Sequence, residues 1–241
     1  MSQFPSAAVN TPVLFISGAG LPTWIWDGVR TALPHDVDTA VARRPHGTHA
    51  SLADYADAAA AAGPWPTFAV VAHSSGGVVA SELMSRHPGR VTGILGISAV
   101  VPRAGRSFID TMPFPSRFVL STVLRLLGTK PPARVIRTRL ASGLPDATAK
   151  RIVTDFHPES LRLYRDPTSP RDLPETRGYL ATTQDNEVTA PIQRTSADAL
   201  QAMWCDKLAT GHLPMLQDPV QVSQAVRRLL ATIDGPVTKI P

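Results

Sequence analysis

Phe68-Ala69-Val70-Val71-Ala72-His73-Ser74-Ser75-Gly76-Gly77-Val78-Val79-Ala80 is an apolar run that meets a small-x-Ser-x-Gly turn and continues in a helical pattern. It reads as strand, nucleophile, helix. A serine on so sharp a corner needs small side chains two positions before and two after it, and Ala72 and Gly76 supply them. Ser74 is therefore the candidate nucleophile. Free N–H groups and the positive dipole end of the following helix would lie beside it, an arrangement suited to acyl transfer. Helix capping by Ser74 is the plainer alternative. Ser75 is the adjacent rival, but the spacing to Ala72 and Gly76 favours Ser74.

A serine hydroxyl needs a general base and a group that orients the base. Ala209-Thr210-Gly211-His212-Leu213-Pro214 places a histidine in a loop between an apolar stretch (Met203 to Leu208) and an amphipathic helix (Pro219 to Ile233), which makes His212 the base candidate. Upstream, the β-like run Gly178 to Thr183 ends at Gln184-Asp185-Asn186-Glu187, so Asp185 is the orienting candidate, with Glu187 as its rival and turn formation as its bland role. His73 reads as a packing residue pointing away from the site. At the start, Pro12 to Ser17 is strand-like and empties into Gly18-Ala19-Gly20; the N–H of Ala19 and that of Ser75 would form a two-donor oxyanion hole.

These segments, with Trp24-Ile25-Trp26 behind the first loop and Gly211-His212-Leu213-Pro214-Met215-Leu216 before Pro219, resemble the α/β-hydrolase superfamily. Within it the chain is similar to the small branch of plant-type methyl esterases and hydroxynitrile lyases and their bacterial relatives. The order Ser, Asp, His is that of the superfamily. Ser17 departs from the histidine usual in the first loop, and Ala72 from the glycine usual before the nucleophile. The resemblance implies a mostly parallel sheet with helices on both faces and an inserted helical cap. It implies a serine esterase acting on a small to medium ester, thioester or lactone through an acyl-enzyme, with no cofactor and no metal. A hydroxynitrile lyase would carry lysine directly after the histidine, where this chain has Leu213. An acyltransferase, a cofactor-free oxygenase or perhydrolase, and a small-molecule receptor are the other rivals on the same fold.

The rest of the chain agrees with this organisation. Its 241 residues suffice for one large domain, in which 1–100 and 176–241 form the core and 101–175 the cap. Strand-like Asp36 to Arg43, helical Ser51 to Ala62 and strand-like Val91 to Ser98 alternate with the segments above, and Val188 to Ala202 reads as helix. From Val101 to Pro174 prolines instead separate short amphipathic runs. Trp24, Phe108, Met112, Phe114 and Phe118 are candidate pocket-wall residues, with ordinary core packing as the alternative. The single Cys205, inside an apolar strand, reads as a small core residue.

No run is long enough to span a bilayer, and Met1 to Ser6 lacks the pattern of a signal peptide, so the expected location is cytoplasmic. Charge is uneven. Between Val101 and Arg171, eleven Arg and two Lys face four Asp and one Glu, a local excess of +8, while the whole chain carries +5. A solvated face or a funnel for an anionic or carrier-bound substrate accounts for it. Nucleic-acid or membrane contact lacks a stacking platform or a long basic amphipathic helix to support it.

Overall fold

A computed structural model describes residues 11–45 and 49–235; the reading of Met1 to Ser6 lies outside them. The strands are β1 (Val13–Ile16), β2 (Thr39–Val41), β3 (Phe68–His73), β4 (Val91–Ile97), β5 (Thr176–Thr182) and β6 (Trp204–Leu208). Among the described residues they form one sheet in the order β2-β1-β3-β4-β5-β6, parallel at every pairing. β1 and β3 are buried along their whole lengths, which is why they read as unbroken apolar runs: both faces of a parallel sheet are covered. The period-2 alternation divides them between two cores. Leu14, Ile16, Val70 and Ala72 face one side, and Val13, Phe15, Ala69 and Val71 the other.

The helices are α1 (Asp27–Ala32), α2 (Leu52–Ala62), α3 (Gly76–Arg86), α4 (Ser116–Leu127), α5 (Ala133–Val135), α6 (Asp146–Asp155), α7 (Arg162–Arg165), α8 (Ala190–Leu200), α9 (Pro214–Gln217) and α10 (Pro219–Asp234). Ser51 caps α2 with a reciprocal box, its hydroxyl accepting from the Asp54 amide at 3.2 Å and the Asp54 carboxylate from the Ser51 amide at 2.7 Å. The sequence patterns gave no sign of α1. Its Gly28 is a poor helix former, but a Cβ there would stand 3.2 Å from Pro219, so the glycine lets α10 pack close, and tertiary contact overrides propensity.

The segment between β4 and β5 holds α4 to α7. Phe108 and Met112 are partly buried against the core that contains Val70 and Val79. Phe114 and Phe118 are neither wall nor core: both are exposed, stacked edge-to-face on each other with ring centroids 5.7 Å apart. The helix that carries Phe118, α4, is a basic amphipathic helix of the kind the sequence did not reveal, because only the burial of Leu124 and the packing of Leu120 identify its inner face. Cys205 is a second correction. It is exposed, since β6 is an edge strand whose alternate residues Cys205 and Lys207 point outward. No helix among the described residues is long and apolar enough to cross a membrane.

Candidate active site

β3 ends at His73, and the next residue, Ser74, takes the left-handed backbone conformation (φ 53°) before α3 begins at Gly76. A non-glycine residue there is strained and persists only when its surroundings hold it. Here the Ser74 carbonyl accepts from the amides of Gly77 (3.0 Å) and Val100 (2.9 Å). Gly76 has no substitute: a Cβ would lie 2.4 Å from the Ile16 carbonyl oxygen, so only glycine lets α3 start against the end of β1.

Three strand ends then converge. Ser74 Oγ lies 3.1 Å from His212 Nε2, and His212 Nδ1 lies 2.8 Å from Asp185 Oδ2. Ser74 follows β3, Asp185 follows β5 and His212 follows β6, all at the carboxyl edge of the sheet, where ligands of open α/β folds bind. His212 and Asp185 are buried. With Nδ1–H donating to the carboxylate, Nε2 is left to accept the Ser74 proton.

Asp185 is held from four further directions. Its Oδ1 accepts from the amides of Glu187 (2.7 Å) and Val188 (2.9 Å), and its Oδ2 from Thr182 Oγ1 (2.9 Å) and from the Ser98 hydroxyl. Burial opposes ionisation of this carboxyl. The hydrogen bond and charge of His212, with the Ser98 hydroxyl and Val188 amide, outweigh it and hold the group well below the usual carboxylate range. Ser98 carries no signal in the sequence; only the pairing of β4 with β5 brings it to the acid. Glu187, the rival acid, instead pairs with Arg139 at 3.0 Å.

His73 does more than pack. Its Nε2–H donates to the His212 carbonyl oxygen at 2.8 Å, and the two rings lie 4.7 Å apart. Burial first, and then the neighbouring His212, push its pKa down to about 3 from an ordinary 6.5. The folded chain thus keeps His73 neutral where the unfolded chain protonates it, so stability falls as pH drops from about 6.5 towards about 3. Urea unfolding at stepped pH should show that fall. His73→Gln, which keeps an N–H donor but cannot titrate, should flatten it.

The loop after β1 is bracketed on both sides. The Ala19 amide donates to Ser75 Oγ at 2.7 Å, and Ser17 Oγ accepts from Trp26 Nε1 at 3.0 Å. The Gly20 amide donates to Glu159 Oε1 at 2.8 Å, while Arg44 donates to the carbonyls of Gly18 and Leu21 and pairs with Glu159. Tyr55 O–H completes the carboxylate's shell at 2.7 Å. Gly20 sits at φ +74°, and a Cβ there would stand 2.0 Å from the Phe156 ring. Arg44, Tyr55 and Glu159 were invisible as a group, being separated by up to 115 residues with no motif spacing. With Ala19, Ser75 and Val79 they line a cavity of about 30 Å³, room for roughly one water.

None of the expected wall residues lines that cavity. Trp24 is turned to the β4–β5 segment instead, donating from Nε1 to Asp155 at 2.8 Å under the Arg151 guanidinium, which lies 3.9 Å from its ring centroid. Phe108 meets Tyr164 edge-on at 5.3 Å. Among the described residues no group of three or more His, Cys, Asp or Glu is placed to hold a metal ion.

The fold has parallels among known proteins. The chain is 26% identical over 261 residues to the probable esterase PIR7A of rice, Oryza sativa, with 92% of this chain and 97% of the relative covered. Its structure is similar to an extracellular α/β-hydrolase from Paenibacillus, described as sharing structural and functional homology to tobacco salicylic acid binding protein 2 (TM-score 0.78, 17% identity, 92% and 98% coverage). It is also similar to a pyrethroid hydrolase from Sphingobium faniae (TM-score 0.72, 18% identity, 94% and 98% coverage) and a methylesterase from Arabidopsis (TM-score 0.72, 16% identity, 92% and 99% coverage). At such identities the structural likeness speaks for the fold. A family model described as the alpha/beta hydrolase family matches residues 13–225, from β1 into α10, and the chain belongs to that family.

Proposed function

We propose that the protein is a serine carboxylesterase working through Ser74, His212 and Asp185. The observation that carries the reading is the continuous chain from Ser74 Oγ through both His212 nitrogens to a carboxylate held ionised. Ser74 attacks the ester carbonyl as His212 Nε2 takes its proton; the tetrahedral adduct collapses, His212 protonates the leaving alcohol, and water then releases the acid from the acyl-enzyme by the same route. Asp185 keeps the imidazole in the required tautomer and stabilises its cation. The amides of Ala19 and Ser75 receive the oxyanion, and an ester oxygen entering the corner competes with Ser75 Oγ for the Ala19 N–H. The names of the similar proteins, esterase, methylesterase and pyrethroid hydrolase, favour a carboxylic ester over a thioester or lactone.

Residues 101–175 act in this reading as a cap, contributing Phe156 and Glu159 to the support of the Gly18–Leu21 loop. Glu159→Gln keeps the volume but weakens the bracket at Gly20 and unpairs Arg44. We expect kcat to fall roughly ten- to a hundredfold with KM little changed, because a displaced donor is felt in the transition state. Steady-state kinetics on a soluble ester check this. A lyase of the related branch needs a cation after the histidine, and Leu213 is instead fully buried in the apolar core.

The test of the whole reading is hydrolysis of p-nitrophenyl esters of graded acyl length, with a fluorophosphonate label located by mass spectrometry. Label on Ser74 together with turnover supports it. Folded protein that neither labels nor turns over would sink it and favour a receptor or a cofactor-free oxygenase.

A further inference from the structure

The proposed chemistry does not use the outer face of α4. Phe114, just before the helix, and Phe118, Val119, Val123, Leu126 and Leu127 on it are all exposed, from 41% for Val123 to 76% for Leu127. So dense a group of large apolar side chains is unusual on a soluble monomer and marks a surface that something covers. The helix is fixed from within by Leu120 and Leu124, so the outer residues have no core to turn to.

The charge along this part of the chain is of one sign between Asp110, which feels the charge of Arg117, and Asp146. From 111 to 145 the chain holds Arg117, Arg125, Lys130, Arg134, Arg137 and Arg139 and no Asp or Glu. Arg137 and Arg139 are paired with Asp146 and Glu187, whereas the other four make no salt bridge among the described residues. The Arg117 guanidinium lies over Phe118 (4.9 Å) and Phe114 (5.9 Å), and Arg165 reaches the helix at Ser121 (2.8 Å). Cations thus stand among the apolar side chains. A symmetric contact with a second copy would bring these cations towards their own counterparts. Ser116 and Thr122 are the only exposed uncharged polar side chains on α4, so the face offers little of the patterned hydrogen bonding that a protein partner would read. An anionic lipid layer asks for what is present: apolar side chains to enter the acyl boundary and Arg and Lys to meet the headgroups.

We propose that α4 is an adsorption site for anionic lipid surfaces, seating the β4–β5 segment on the layer. The inference is independent of the esterase reading. Its test is co-sedimentation of the full chain with vesicles of phosphatidylcholine alone and of phosphatidylcholine mixed with phosphatidylglycerol, at low and high salt. Adsorption to the mixed vesicles, weakened by salt, is expected. Val119→Glu with Leu126→Glu should lower it at least about tenfold. Arg125→Gln with Lys130→Gln should do the same, since each cation at such a surface strengthens binding about fivefold, and should bring the two vesicle types closer together. Thermal unfolding and hydrolysis of a small soluble ester should be unchanged in both variants; if the first does not fold, the second carries the test. Three results overturn the proposal: no adsorption to mixed vesicles, with or without binding to an acidic protein; adsorption that the variants retain; or a dimer in solution that Val119→Glu with Leu126→Glu dissolves, which would assign the face to a second copy.

Discussion

Ser74→Ala is expected to lower kcat for p-nitrophenyl ester hydrolysis by about 10⁵-fold and to abolish fluorophosphonate labelling, with the fold intact. The size follows from what is removed. His212 Nε2, 3.1 Å from Ser74 Oγ, is left without a proton to take, so no acyl-enzyme can form. What remains is binding and the backbone donors acting on attack by water, which in comparable sites leaves about 10³-fold over the uncatalysed rate. The mutation also relieves a cost only slightly, since alanine at φ 53° is nearly as strained as serine. Stability should therefore stay close to wild type. A variant with activity within tenfold of wild type would show that the hydroxyl of Ser74 is not the nucleophile.

Asp185→Asn should lower kcat by about 10⁴-fold. Two amides, of Glu187 and Val188, donate to Oδ1, and they are fixed donors. The carboxamide oxygen must therefore take the Oδ1 place, which puts the NH₂ where Oδ2 stands, 2.8 Å from His212 Nδ1. A donor there forces the imidazole into the opposite tautomer, with its proton on Nε2, where it can no longer accept from Ser74. One N–H of the new NH₂ serves His212 Nδ1, and the hydroxyl of Ser98 can rotate to accept the other, so the variant should fold. Kinetics paired with thermal unfolding check this: near-native melting with activity lost is expected, whereas retained activity would assign the orienting role to another group.

The acid's own titration adds a stability effect whose sign is definite. Its folded pKa is depressed, so its contribution is present above the ordinary value of 3.8 and is lost as pH falls below it towards the depressed folded value. The loss belongs at lower pH than that from His73, whose window opens at about 6.5. The two therefore separate in an acid titration of wild type against His73→Gln.

Much was legible in the chain because it is local. A buried parallel strand must be apolar at every position, a sharp turn must carry small residues, and a capping serine stands next to its helix; β3, the Ser74 corner, α2 and α10 follow from neighbours a few residues apart. Side chains joined across long separations leave no such mark. The clasp of Glu159, Arg44 and Tyr55 on the Gly18–Leu21 loop, the Ser98 hydroxyl on Asp185 and the His73 bond to the His212 carbonyl exist only because the folded chain brings distant segments together. Exposure behaves in the same way. The apolar residues Phe114, Phe118 and Cys205 suggest interior positions, yet which face of α4 or β6 is covered depends on the elements packed against it. By itself, then, the sequence determined the strand-turn-helix unit, the alternation around it and the residue types able to do acyl chemistry, since each is a short-range steric or chemical requirement. Only the tertiary structure decided which polar groups hold them and which apolar faces stay uncovered, because those outcomes depend on the relative placement of segments far apart in the chain.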